Sequence, residues 1–303
     1  MILITGATGK NGTEILKRLS GRKERIRAMV RRRDGITAAT PTFELQYVEA
    51  DFDDPASLRR ALEGVQRAYL VTNSSDRVEE QQLRFVSLAR ECGVKHIVYL
   101  SQLHASPQSP LRFLRYHAAV EDAIRASGMS YTNLRPNQYM QGLLMIGKSI
   151  ATEGRFFAPA GDARVSVVDV GDVAAVAVAA LTHTSCEGKT YDLTGPEALT
   201  HAEMAAQLSR ALDRTITYVD MPERQFREAL RSFHMPDWQA DGLIEDFAHY
   251  RRGEAAGITD SIRQVTGAAP HTFFEFARDH RAAFLGEGGV QTAAQSPVAV
   301  SHR

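Results

Sequence analysis

An apolar run, Met1-Ile2-Leu3-Ile4, precedes Gly6, Gly9 and Gly12, and Ile15, Leu16 and Leu19 then recur at helical spacing. The run predicts a buried strand, and the recurring residues predict a helix with one apolar face. Glycines between them let the backbone turn sharply and approach a ligand with no Cβ in the way. A helix starting near Asn11 points free N–H groups and its positive dipole end at that turn, which makes an anion site. The candidate ligands are Gly6, Thr8, Gly9, Lys10, Asn11 and Gly12. A P-loop requires G-x-x-x-x-G-K-[ST]. Gly9-Lys10 supplies the GK, but Ile4 stands where the first glycine belongs and Asn11 where the hydroxyl residue belongs. A dinucleotide turn usually reads G-x-G-x-x-G; here the spacing is G-x-x-G-x-x-G.

The surrounding pattern favours the dinucleotide. Further strands are expected at 25–30, 45–50, 68–71, 96–100 and 130–134, with helices at 55–62, 78–92 and 111–126. This alternation predicts an α/β fold, a Rossmann-type doubly wound parallel sheet whose ligand crevice lies at the carboxyl ends of the strands. After Pro136 the rhythm loosens. Helical segments at 140–152, 171–181, 201–212, 222–231 and 237–250 mix with short strands near Val165, Tyr191 and Thr217, and Phe273, Phe274, Phe276 and Phe284 mark a last helix. The expected organisation is a dinucleotide-binding core at 1–136, to which about 165–195 returns, a smaller, mostly helical substrate lobe at 137–285, and a disordered tail at 286–303.

Thirty-six basic residues balance thirty-six acidic ones. No net field favours nucleic acid or an anionic membrane. The longest apolar run, 165–181, carries Asp169 and Asp172 and is no membrane span. Cys92 and Cys186 are far apart and without ligand-like neighbours, as in reduced thiols, and no leader is read before the first strand. The expectation is a cytoplasmic monomer or homodimer acting on a small molecule, with no bound metal.

The second strand ends in Arg31-Arg32-Arg33, where an NAD site usually carries an acid. Guanidinium forks suit the extra phosphate of NADP, so NADP(H) is expected over NAD(H), the alternative being that the three arginines only cap an exposed strand end. Asp34 comes too late to replace them. By their places at strand ends, Asp51 and Phe52 would flank the adenine, Thr72 and Asn73 the ribose and pyrophosphate, and Ser101 and Gln102 the nicotinamide.

GATGKNG, the arginine-rich strand end, ADFDDPASLRRAL and SGMSYTNLRPNQYMQ together resemble the NmrA-like group of atypical short-chain dehydrogenase/reductases. Within that group the chain is most similar to the NAD(P)H-dependent quinone, azo-dye and triphenylmethane-dye reductases, over about 1–284. The resemblance implies a Rossmann core with a small carboxyl-terminal substrate lobe. The group also holds dinucleotide sensors with little turnover, so a redox sensor is the rival expectation.

Typical short-chain dehydrogenases use Tyr-x-x-x-Lys, and no tyrosine here has it: Tyr116 is followed by Val120 and Tyr131 by Arg135. Alcohol or ketone chemistry through that pair is not expected, nor is the nucleotide-sugar epimerisation that uses it. His117 and Glu121 instead share a helical face. In the isoflavone-reductase-like branch a lysine stands at the His117 position, whereas the quinone-reductase branch resembles this chain in His-x-x-x-Glu. Glu121 is expected to orient His117 and raise its pKa, making it a proton donor or ribose anchor; a simple polar pair is the alternative. Tyr116 is a second candidate donor. In the family, the loop Pro136-Asn137-Gln138-Tyr139 packs by the nicotinamide; Asn137 is expected on its carboxamide and Tyr139 near the ring or the substrate, a plain proline-terminated strand end being the alternative. Tyr139, Met140, Leu143, Phe156, Phe157 and Trp238 are candidate pocket walls. The expected reaction is direct hydride transfer to an electron-poor, aromatic acceptor, without flavin.

Overall fold

In the computed structural model, residues 1–32 and 45–287 are described. Arg33, Asp34 and the proposed tail from 288 onward lie outside them. The first half runs β1 (Ile2–Ile4), α1 (Lys10–Leu19), β2 (Ile26–Val30), β3 (Leu45–Glu49), α2 (Pro55–Leu62), β4 (Arg67–Leu70), α3 (Val78–Glu91), β5 (His96–Leu100), α4 (Arg112–Ala126) and β6 (Ser130–Pro136). A 3₁₀ stretch, Met140–Ile146, leads to α5 (Gly147–Glu153), β7 (Arg155–Ala158), α6 (Val170–Thr182), β8 (Lys189–Leu193), α7 (His201–Leu212) and β9 (Thr217–Asp220). The chain closes with α8 (Glu223–Ser232), α9 (Asp237–Arg251), α10 (Ser261–Thr266), α11 (Phe273–Asp279) and α12 (Arg281–Leu285).

Seven strands form one parallel sheet in the order β3-β2-β1-β4-β5-β6-β8. Both faces are covered, so β1 and β5 are buried throughout and read as continuous apolar runs. Ile2 and Ile4 pack with Ile15 of α1 and Val173 and Ala177 of α6. Leu3 points the other way, into a core with Leu58 of α2, Phe85 of α3 and Val120 of α4. Strand order reverses between β1 and β4, and that switch point opens the crevice of a doubly wound sheet.

A second body is built on Phe156 of β7, Leu208 of α7 and Phe273, Phe276 and Phe284 of the last helices. Its two strands, β7 and β9, pair in parallel. Three local expectations are corrected. Val165 makes an isolated bridge to Leu199, not a strand. Residues 140–152 divide into a 3₁₀ stretch and α5. The last helix breaks at His280, whose Nδ1 turns back to Phe276 O at 3.0 Å. Both cysteines are free thiols. Among the described residues, no helix is long and apolar enough to cross a membrane and no cluster of three His, Cys, Asp or Glu is placed to hold a metal ion.

Candidate active site

Thr5 fixes the floor of the crevice. Its hydroxyl lies 3.0 Å from Tyr69 O and 2.9 Å from Val71 O, and accepts from Val71 N–H at 2.9 Å, tying the ends of β1 and β4 together. The turn that follows leaves no room for side chains. Gly6 has φ +57°, and a Cβ there would lie 2.7 Å from Val71 Cγ1. A Cβ on Gly12 would overlap Gly6 O and lie 2.7 Å from Ala7 Cα. On Gly9 it would meet Gly6 O at 3.2 Å. Gly9 heads α1 with no side-chain cap, and Thr8, Gly9 and Lys10 are exposed. The amides of the first helical turn therefore stay open to an anion. Lys10 Nζ lies 3.4 Å from Gln141 O, and partial burial lowers its pKa. These groups fit a pyrophosphate.

The other strand ends are less uniform. Arg31 and Arg32 are exposed just past β2. Asp51 is exposed, with its Oδ1 accepting from Asp53 N–H at 2.9 Å. Phe52 packs on Phe85 at 5.7 Å between ring centres. Asn73 is exposed, while Thr72 Oγ1 accepts from Gln82 Nε2 at 2.8 Å.

Thr72 begins a chain that ends on His117. Buried Gln82 accepts the Tyr99 hydroxyl on its Oε1 at 2.8 Å, and the Tyr99 oxygen lies 2.7 Å from His117 Nδ1. The one phenolic proton of Tyr99 is used on Gln82 Oε1, which has no proton to give. His117 must then donate from Nδ1–H, leaving Nε2 as the acceptor nitrogen. Burial, aided by the nearby Arg135 charge, drives the His117 pKa down to about 3. His117 is neutral at ordinary pH. It can anchor a hydroxyl but has no proton to donate from Nε2.

This corrects the pairing with Glu121. Helical spacing does place the two on one face, but Glu121 is captured by Arg135 of β6 in a fork, Nε to Oε1 at 2.8 Å and Nη2 to Oε2 at 2.6 Å. Ser101 Oγ also donates to Oε1 at 2.5 Å. A bidentate, charge-assisted pair outcompetes a single imidazole contact. Ser101 is thereby tied to α4. Asn137 is likewise corrected. Its Nδ2 donates to Ser166 Oγ and Ala255 O, each at 2.8 Å, and its Oδ1 accepts from Gln138 N–H at 2.9 Å. Both amide protons are committed within the protein, so none is left for a carboxamide. Pro136 is buried at the end of β6, where its carbonyl accepts Leu103 N–H at 3.0 Å.

The sequence profile of the NmrA-like family matches residues 1–277. The chain belongs to the NmrA-like family. It is 36% identical to the NAD(P)H azoreductase of Xenophilus azovorans over 285 residues, 94% of this chain and 99% of that one. It is also 36% identical to (4-alkanoyl-5-oxo-2,5-dihydrofuran-3-yl)methyl phosphate reductase of Streptomyces griseus subsp. griseus, covering 95% of this chain and 100% of that one. Among solved structures, an NADPH-dependent quinone oxidoreductase of Escherichia coli complexed with NADPH superimposes with a TM-score of 0.83 at 30% identity, over 92% of this chain and 99% of that one.

In this NmrA-like chain the aromatic candidates separate. Met140 and Phe156 are sealed in the core of the second body, and Leu143 packs against it. Phe157 is half-buried in β7 beneath the Arg155 guanidinium. Tyr139 turns its hydroxyl to Asn11 Oδ1 at 3.4 Å, beside the glycine turn, and burial raises its pKa. Tyr116 stacks on His117 at 4.0 Å and lies 6.2 Å from Trp238, which in turn sits 5.2 Å from Phe113. Burial raises the Tyr116 pKa too, which makes its phenol a poor proton donor. Gln82, Tyr99 and Arg135 escaped sequence reasoning because they act across elements. The only sign of Arg135 was the LRP triplet itself.

Proposed function

We propose that this NAD(P)H-dependent reductase takes NADP(H) in preference to NAD(H) and reduces an electron-poor aromatic acceptor of the quinone or azo-dye class, without flavin. The observation that carries the reading is one juxtaposition at the carboxyl ends of the sheet. An open, uncapped glycine turn lies at one side of the crevice, and the half-buried ring of Trp238 with Phe113 and Tyr116 at the other. Bound NADPH would supply the hydride. Amides of Thr8, Lys10 and Asn11 would hold the pyrophosphate, with Gly9, whose N–H closes the turn on Gly6 O at 2.9 Å, leaving the backbone bare for its approach; Arg31 and Arg32 would hold the 2′-phosphate, and His117 Nε2 a ribose hydroxyl. The body carrying β7, β9 and α7 to α9 would cover the acceptor, which also fits the domain division at about residue 137. An acceptor that spreads charge over a ring system needs orientation more than an ionised donor pair. The full-length reductase relatives support the same class.

The test mixes purified protein and NADPH with a panel of quinones and azo dyes and follows absorbance at the reduced-nicotinamide band. Acceptor-dependent loss above the uncatalysed rate is expected. NADPH binding with no acceptor-dependent loss would instead indicate a redox sensor. The cofactor preference has its own test. Arg31→Ala is expected to weaken NADPH binding by roughly tenfold or more, the value of a lost charged hydrogen bond, with little change for NADH. Equal losses for both coenzymes would contradict the 2′-phosphate assignment.

A further inference from the structure

Helix α9 lies against α4, and its charged residues are matched with one exception. Gly242 leaves space that the Phe113 ring fills, since a Cβ there would clash with the ring's Cζ and Cε atoms. Arg112 clamps Glu245 through Nε at 2.9 Å and Nη2 at 2.7 Å, and its backbone N–H adds a third bond at 2.8 Å. Asp241 pairs with Arg227. Asp246, next to Glu245, turns inward and is 6% exposed. Among the described residues, its hydrogen-bond partner is Gln102, whose Nε2 reaches Oδ1 at 3.3 Å, and no cation pairs with it. No bond among those residues reaches Oδ2.

Gln102 follows Ser101 directly beyond β5, at the crevice where the nicotinamide is expected. We infer that Asp246 is the acid that protonates the acceptor, held from one side by Gln102 so that its proton rides on Oδ2. The inference rests on the proposed hydride-transfer function. An unpaired buried carboxylate is costly, and neutralisation is the usual relief. Gln102 Nε2 can only donate, so the oxygen it bonds is the carbonyl oxygen of the acid. The groups facing Asp246 do not compete for the role. Tyr116 on α4 and Tyr250 on α9 both have raised pKa values, partly through the Asp246 charge itself. The Glu245 carboxylate raises Asp246, while His249, one turn on and 5.7 Å from His104, is lowered by burial. Burial first, then Glu245, against the Gln102 bond, brings Asp246 up to about 7.

The step balances. The acceptor gains a hydride from the reduced nicotinamide and a proton from Asp246. The carboxyl O–H bond breaks as the new O–H of a quinol, or N–H of a hydrazo group, forms. Water then restores the proton to the carboxylate. A cationic triarylmethane dye needs the hydride alone, which gives the test its contrast.

The experiment compares wild type, Asp246→Asn and Asp246→Glu on a quinone, an azo dye and a cationic triarylmethane dye across pH 5.5–9, each at saturating NADPH. Wild-type quinone and azo turnover is expected to fall above a midpoint of about 7. Asp246→Asn should abolish that limb and lower the ratio of quinone to triarylmethane turnover by roughly a hundredfold, as for a lost general acid. Asp246→Glu should restore part of both. A readout free of cofactor is the emission of Trp238, the chain's one tryptophan, which packs on Tyr116. It should titrate near the same midpoint in wild type and lose that transition in Asp246→Asn. Equal losses on all acceptors, or an unmoved pH profile and emission transition, would overturn the role of Asp246 while leaving the hydride-transfer reading standing. No wild-type turnover with any acceptor would overturn both.

Discussion

Gly12→Ala is expected to lose NADPH binding and to melt well below the wild type. The new methyl would overlap Gly6 O and press on Ala7 Cα, both backbone atoms that no rotamer change can move aside. Either the turn opens or α1 shifts along the sheet. The shift would unseat Ile15 and Leu19, which are fully buried against α6 and β1. The cost is about 3 kcal/mol, the upper end for forced overpacking. Because the displaced atoms are those that aim the helix amides at the crevice, affinity should fall with stability. Gly9→Ala is the contrast. Its methyl meets Gly6 O at 3.2 Å, tight but open to a small adjustment, so thermal stability should change little. Calorimetric melting and NADPH titration of the two variants check the pair. A Gly12→Ala protein with wild-type melting and affinity would contradict the described geometry of the turn.

Glu121→Ala is expected to be the most destabilising change at the opposite side of the crevice. The Glu121 side chain is 2% exposed and is the acceptor for three bonds, two from Arg135 and one from Ser101. Removing it strands a guanidinium that is itself only 24% exposed. Breaking such a pair from one side costs about 3–5 kcal/mol, because the remaining charge stays buried without its partner. Denaturant unfolding measures the loss. Glu121→Gln, which keeps acceptor capacity for Ser101, should lose less. If Glu121 instead served His117, the alanine variant would alter the His117 titration and leave stability nearly intact. That outcome would restore the helix-face pairing set aside above.

The contrast between these residues marks what could be read from the chain. The strand–turn–helix opening was legible because each of its signals is local: an apolar run, glycines at short spacing, and a helical repeat. ADFDDPASLRRAL was legible for the same reason, with Asp54 capping α2 and Pro55 at its first turn. The sheet followed because strands buried on both faces are continuous apolar runs. His117 and Glu121 misled because an i,i+4 relation describes one helix, whereas the partner that wins Glu121 stands on β6, fourteen residues away. Asn137 misled similarly: the family resemblance sets its loop by the nicotinamide, and only the distant Ser166 and Ala255 reveal its amide as a tie between segments. Strand β7 is hidden because Phe156 and Phe157 read equally well as pocket aromatics; its partner β9 is about sixty residues on, so no local alternation betrays the pairing. Asp246 carries no motif, and its meaning comes from burial and from Gln102, more than a hundred residues earlier.

The central claim is that the open amides at the head of α1, with Arg31 and Arg32 beside them, grip an adenosine coenzyme bearing the extra phosphate. Isothermal titration calorimetry of the purified protein with NADPH and with NADH tests it most directly. Saturable binding of NADPH, weaker binding of NADH, and a difference that shrinks as salt is raised are predicted. Absence of saturable binding by either coenzyme would contradict the account.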